Sequence, residues 1–189
     1  MVTVFQTRKD MVLHLIPKNG HIAEIGIFKG EFSDYLYKTL TPKEFVLIDL
    51  FEGETSSGDH DGNNVSSTNL YSQYARLSEW AKTQNGIHIE KGDSSTILSK
   101  YPDHFFDMIY IDGDHSYEGV KKDLEQAIKK VKKGSYIMGH DYEMNMNKAH
   151  TWYDSSPVKR AVNEFCSTYS QTISARGEDG CVSYAICVS

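Results

Sequence analysis

The sequence predicts one α/β domain: a mostly parallel sheet with helices on both faces, closed at its C-terminal end by an antiparallel hairpin. Two observations carry this expectation. Short apolar runs alternate with amphipathic stretches along most of the chain, the pattern of repeated β-α units. The last two apolar runs have no helical stretch between them, which leaves a hairpin. A chain of 189 residues suits a single domain spanning 1–189.

The elements follow in order. A first helix starts near Thr7, which can cap open backbone N–H groups, and stops at Pro17, within an N-terminal region of residues 1–20. Asn19-Gly20 marks a turn. Ile22–Ile27 and Phe45–Leu50 are the first two strands, the second apolar nearly throughout, as expected where both sheet faces are covered. Ile87–Glu90, Phe105–Ile111 and Tyr136–Met138 read as three more. Helices fall at Phe32–Leu40, Leu70–Lys82, Ser95–Lys100 and Tyr117–Val131, and Ser156-Pro157 opens another. Thr172–Ala175 and Val182–Val188 form the hairpin, joined by a loop over Arg176–Gly180. Sheets of this kind bind ligands at the carboxyl ends of the strands, where strand order reverses.

Composition narrows the function. A formal net charge of −6 argues against a duplex-nucleic-acid binder, which needs a basic stripe. The lysines at 121, 122, 129, 130, 132 and 133 are largely interleaved with acids, as on a solvated helix face. No apolar run approaches the ~18 residues of a membrane span. Cys166, Cys181 and Cys187 are an odd set without a CxxC pair, so the expectation is a reducing, cytoplasmic setting without disulfides.

The strand ends carry the chemistry. The first leads into Glu24-Ile25-Gly26-Ile27-Phe28-Lys29-Gly30. Its glycines permit a tight turn and close approach of a ligand. The spacing is G-x-x-x-G behind an acid, not the G-x-G-x-x-G of pyrophosphate sites. A sulfonium–amino-acid ligand has no phosphate and carries an ammonium, which suits Glu24, directly or through water; the alternative is a plain turn with a solvated glutamate. Asp49 ends the second strand near the ~20-residue spacing at which an acid takes ribose hydroxyls, or is an ordinary polar strand end. Gly92-Asp93-Ser94 is placed for the adenine end of such a ligand, or for capping the next helix.

Asp112-Gly113-Asp114-His115 is the richest segment. Asp112 is last on its strand and points into the crevice, and His115 titrates near neutrality and could take a hydroxyl proton. The fifth strand should lie beside the fourth and bring His140 and Asp141 toward Asp112. Asp112, His140 and Asp141 could then hold Mg²⁺ or another divalent cation, or the last two could simply satisfy backbone or substrate groups.

Taken together, Glu24-x-Gly26-x-x-x-Gly30, Ile48-Asp49, Gly92-Asp93, Tyr110-Ile-Asp-Gly-Asp-His115-x-Tyr117 and Gly139-His-Asp-Tyr142 resemble the class I S-adenosylmethionine-dependent methyltransferases over roughly residues 20–188. The resemblance is greatest to the small branch related to catechol O-methyltransferase-like and macrolide-sugar O-methyltransferases. It implies a Rossmann-like seven-stranded sheet. It implies that Glu24, Gly26 and Gly30 surround the methionine part, with Asp49 at the ribose, Asp93 at the adenine side and Asp112 in the same pocket. Asp112 and His115 become the catalytic expectation. His140-Asp141 stands where metal-dependent relatives carry an acidic pair, a departure. The implied acceptor is a small molecule with a hydroxyl, a sugar foremost. Relatives of this kind often form homodimers, although no exposed apolar seam is visible in the sequence.

Loops 52–67 and 143–155 leave the ligand side and are expected to shape acceptor choice; the second carries Trp152 and Tyr153. Asp59–Asn63 faintly resembles a calcium loop with a misplaced glycine. Two rival readings remain. Tyr117-Glu-Gly-Val-Lys121 matches the Tyr-x-x-x-Lys of short-chain dehydrogenases, but the dinucleotide glycines are missing. A non-catalytic cofactor-binding module is the other.

Overall fold

The computed structural model describes residues 1–52, 54–57, 66–144 and 155–189. Most of the two substrate-side loops, with Trp152, Tyr153 and the Asp59–Asn63 pattern, lies outside the described residues.

The elements run β1 (Thr3–Phe5), α1 (Arg8–Leu15), β2 (His21–Ile25), α2 (Glu31–Leu40), β3 (Glu44–Asp49), β4 (Glu54–Ser57), β5 (Ser66–Asn69), α3 (Leu70–Lys82), β6 (Ile87–Lys91) and α4 (Ser94–Leu98). They continue with β7 (Phe106–Ile111), α5 (Tyr117–Lys130), β8 (Val131–Met144), α6 (Ser156–Thr168), β9 (Ile173–Asp179) and β10 (Cys181–Cys187). The main sheet has the order β1-β9-β10-β8-β7-β2-β3-β6, and β4-β5 form a separate small antiparallel pair. β2, β3, β6, β7 and β8 are parallel, and β10 is antiparallel to both β8 and β9. The chain builds outward from β2 through β3 to β6, then returns to lay β7 on the other side of β2. The strand order therefore reverses between β2 and β7, the place where such sheets open a crevice.

The alternation of strand side chains sorts the core into two layers. Ala23, Ile25, Val46, Ile48, Ile109 and Ile111 face α4, α5 and α6. Ile22, Phe45, Leu47, Met108 and Tyr110 face α1, α2 and α3. Each helix buries one stripe: Leu36 and Leu40 on α2, Val120, Leu124 and Ala127 on α5, Val158, Val162 and Phe165 on α6. The Thr7 hydroxyl accepts from Asp10 N at 3.0 Å and caps α1, which stops before Pro17 as the sequence predicts.

The seven expected strands are all present, and the sheet gains an eighth. β1 pairs in parallel with β9 at the sheet edge. Its three residues are too few to show a period, and its partner lies at the far end of the chain. The hairpin also differs from expectation. Arg176, Gly177 and Glu178 pair with β10 rather than looping out, and the turn contracts to Gly180 at φ 114°. β8 is longer than Tyr136–Met138: Val131 pairs with β7 ahead of a register shift, and Glu143 and Met144 pair with β10. Among the described residues no helix is long and apolar enough to cross a membrane.

Candidate active site

A cavity of about 800 Å³ opens at the carboxyl ends of β2, β3 and β7. Glu24, Gly26, Gly30, Asp49, Asp93 and Asp112, all expected at a cofactor site, line it together.

The turn after β2 is shaped by close backbone approach. Gly26 has φ 84°, and a Cβ there would stand 2.1 Å from the Asp112 carbonyl oxygen. Gly30, at φ 74°, begins α2 and donates its N–H to Ile27 O at 2.8 Å. Asp49 fixes the turn from the neighbouring strand: its Oδ2 accepts from Ile27 N and its Oδ1 from Phe51 N, both at 2.8 Å. Each oxygen retains a second lone pair, so the carboxylate can still accept from ribose hydroxyls.

Glu24 is the electrostatic anomaly. It is only 2% exposed, although it lines the cavity. Burial pushes its carboxyl up to about 8, against a lowering bond with Ser33, while Asp112 adds repulsion and Arg8 relieves it. Its Oε2 has no hydrogen-bond partner. A buried acid with an orphaned oxygen is costly unless a ligand completes it. The ammonium of a methionine moiety would do so, and the Gly26 turn leaves no side chain in its way. The residues fit S-adenosylmethionine.

At the other end, Asp93 is a helix cap as much as a ligand group. It accepts from Thr96 N at 3.0 Å, Ser95 Oγ at 2.6 Å and Lys122 Nζ at 2.7 Å. The Lys122 ammonium, with the Ser95 and Thr96 donors, holds it far below the usual carboxylate range. Asp123, on α5, also lines the cavity. It is buried and bonded to Ser94 Oγ, and burial raises its carboxyl to about 6. Sequence reasoning missed it, though it had a signal: a carboxylate at a position of the Val120–Leu124–Ala127 stripe.

A second cluster joins the loop after β7 to β8. His115 Nε2 lies 3.4 Å from Asp112 Oδ1 and 3.3 Å from Asp141 Oδ2. The bond to Asp112, together with both negative charges, raises the imidazole against the opposing effect of burial. Asp141 is buried in a left-handed backbone at φ 56°. Burial works to raise its carboxyl, but His140, His115 and the Cys181 thiol outweigh it and hold it at about 2. His140 Nδ1 is 3.0 Å from Asp141 Oδ1 and 3.9 Å from Asp112 Oδ1. The structure thus brings together Asp112, His115, His140 and Asp141. Ligand atoms of Asp112, His115 and Asp141 fall within 4.8 Å of one another. Two carboxylates and an imidazole are a suitable donor set for a divalent cation. His115 lines the large cavity, and His115 and His140 both line a small neighbouring recess.

Arg8 was not foreseen. It arrives from α1, donates from Nη1 to Asp112 Oδ2 at 3.2 Å and lies 4.3 Å over the Phe32 ring. Nothing local in the sequence marks it; its place depends on α1 packing beside β9.

The comparisons agree with this geometry. The sequence profile of the methyltransferase domain matches residues 23–142. No curated protein sequence matches the chain. Solved structures share its fold at low identity. A SAM-dependent methyltransferase from Aquifex aeolicus is 14% identical with a TM-score of 0.65, over 97% of this chain and 91% of that one. A Staphylococcus aureus protein proposed to be a caffeoyl-CoA O-methyltransferase is 13% identical with a TM-score of 0.63, over 95% and 80%. The N-methyltransferase NodS from Bradyrhizobium japonicum is 15% identical with a TM-score of 0.59, over 95% and 93%.

Proposed function

This chain belongs to the methyltransferase-domain family, and from that we propose a specific reaction: S-adenosylmethionine-dependent O-methylation of a small polar hydroxyl compound, with His115 as general base. The observation that carries it is the His115 ring, held by Asp112 and Asp141 at the edge of the cofactor cavity.

Glu24, the Gly26 turn and Asp49 would hold the cofactor. When bound, S-adenosylmethionine supplies an electrophilic methyl group on a sulfonium. With Nε2 facing the two carboxylates, we assign the proton of the neutral ring to that nitrogen. Nδ1 is then the basic nitrogen of the neutral ring. It takes the proton of the acceptor hydroxyl as that oxygen attacks, and Asp112 and Asp141 stabilise the resulting imidazolium. Most of the acceleration comes from holding acceptor and cofactor in line.

A second reading keeps the same carboxylates and adds a divalent cation. Asp112 and Asp141 would hold it with an imidazole, and it would acidify a bound hydroxyl. Among the described residues the ligand atoms that lie together are those of Asp112, His115 and Asp141, so an ion there would take His115 as third ligand in place of the expected His140. The Staphylococcus aureus neighbour, proposed to be a caffeoyl-CoA O-methyltransferase, is compatible with O-methylation. The N-methyltransferase neighbour shows that the fold alone does not select the acceptor. A sugar is the preferred acceptor, from the sequence resemblance.

The test is turnover on a panel of sugars and other hydroxyl compounds, before and after thorough chelation. Activity on a hydroxyl acceptor that survives chelation supports the His115 reading. Activity lost to chelation and restored by Mg²⁺ or Mn²⁺ supports the cation. Reaction only with non-hydroxyl acceptors sinks O-methylation.

A further inference from the structure

We infer that Arg8 binds the carboxylate of the cofactor's methionine part while Glu24 takes its ammonium, so that the N-terminal helix supplies one half of a zwitterion clamp. The inference rests on the S-adenosylmethionine reading above and adds a residue outside the matched span 23–142.

Three contacts place the guanidinium. It lies over Phe32 at 4.3 Å, donates to Asp112 at 3.2 Å and bonds Tyr110. Tyr110 is the register partner of Glu24 across β2 and β7, and Phe32 packs on Tyr110 at 4.6 Å between ring centroids. Arg8 therefore sits above the strand pair that carries Glu24, and its charge is felt by the Glu24 carboxyl. Both residues line the same cavity. The backbone behind Arg8 is fixed. Thr7 caps α1, and a Cβ on Gly177 would stand 2.7 Å from Arg8 N, so β9 presses directly on the start of the helix.

The charges are complementary to an amino acid. Glu24 offers a buried oxygen with no partner, suited to an ammonium. Arg8 offers a planar guanidinium fork whose geometry matches a carboxylate. One acid and one guanidinium at one end of a cavity suit a zwitterion better than a plain cation or anion.

The experiment compares S-adenosylmethionine with decarboxylated S-adenosylmethionine by calorimetry, on the intact chain and on R8Q and R8K. The wild type should prefer the carboxylated ligand by about tenfold or more, the scale of a charge-assisted pair. R8Q should lose that preference through weaker binding of S-adenosylmethionine alone, and bind the decarboxylated ligand as well or better. R8K should fall between. A wild-type preference near unity overturns the clamp, and that comparison needs no variant to fold. R8Q that keeps the preference, or weakens both ligands equally, also overturns it. A folded wild type that binds neither ligand removes the cofactor reading itself, and the clamp with it.

Discussion

His115 Nε2 lies 3.3 Å from Asp141 Oδ2, although His115 is in the loop after β7 and Asp141 is on the neighbouring strand, β8. Asp112, at the start of the same loop, faces the same nitrogen at 3.4 Å, so the imidazole is held between a carboxylate of its own loop and one from β8. His115→Ala should therefore lower kcat by about a hundredfold or more, the usual scale for a lost general base. Cofactor affinity should stay within about twofold, because the ring is not among the residues expected to touch the methionine part. Unchanged turnover would remove His115 from the chemistry.

Asp141→Asn separates charge from shape. Asparagine tolerates the left-handed backbone at φ 56° better than alanine would. It keeps a polar group beside His115 and removes one negative charge. Loss of that charge lowers the imidazole's affinity for protons, since Asp141 is among the groups that raise it. The acidic limb of the kcat/KM profile should then move to lower pH, with reduced maximal activity. A limb that does not move would mean that another group titrates there.

Glu24 predicts proton release on cofactor binding. Burial raises its carboxyl to about 8, so it is protonated in the empty protein near neutrality. An arriving ammonium favours the ionised form. At about pH 6.5 both ligand ammonium and Glu24 are protonated beforehand, and binding should release about one proton. Calorimetry in buffers of different ionisation enthalpy reads this directly, and Glu24→Gln should abolish it. The sign for stability follows from the same shift. Glu24 is raised above its unfolded value of 4.5, so its favourable contribution is full below that pH and is lost as pH rises through about 8. The empty protein should melt progressively lower over that window, and Glu24→Gln should flatten the trend. A binding heat independent of buffer would contradict the protonated state.

How much of this was legible in the sequence depends on where each residue sits. Asp49 ends β3, Asp112 directly follows β7, Glu24 is next to last in β2, and Asp141 lies two residues past the last β7–β8 pair, and β-α repetition alone brings such positions to one edge. Their proximity needed no knowledge of side-chain packing. Arg8 and Asp123 reach the same cavity from helices, and only the rotation of α1 and α5 against the sheet decides that. β1 is invisible for a related reason: its single partner, β9, comes from the other end of the chain, and pairing between remote segments leaves no local period. The long hairpin was under-read because Arg176, Glu178 and Gly177 look like turn residues, yet Arg176 pairs with Glu143 of β8 at 2.7 Å across the sheet. Tertiary partners overrode local propensity there.

The two turn glycines should not be equivalent. Both have positive φ, 84° at Gly26 and 74° at Gly30, so alanine at either carries backbone strain of about 1–3 kcal/mol. What surrounds them differs. A Cβ on Gly26 meets the Asp112 carbonyl oxygen at 2.1 Å and the Gly113 Cα at 2.5 Å, both backbone atoms of the adjoining strand end. Relief would require β2 and β7 to part where Asp112 N bonds Ile25 O at 2.8 Å, which also displaces the Asp112 carboxylate. A Cβ on Gly30 meets Leu77 Cδ2 at 2.6 Å, the end of a flexible side chain that can turn aside. Gly26→Ala should therefore destabilise by about 3 kcal/mol or more and lose cofactor binding, whereas Gly30→Ala should remain folded with a smaller loss. Thermal melts with and without S-adenosylhomocysteine give the comparison. Equal loss at the two positions would show that strain at φ alone, rather than the contact between the β2 and β7 ends, sets the need for glycine at Gly26.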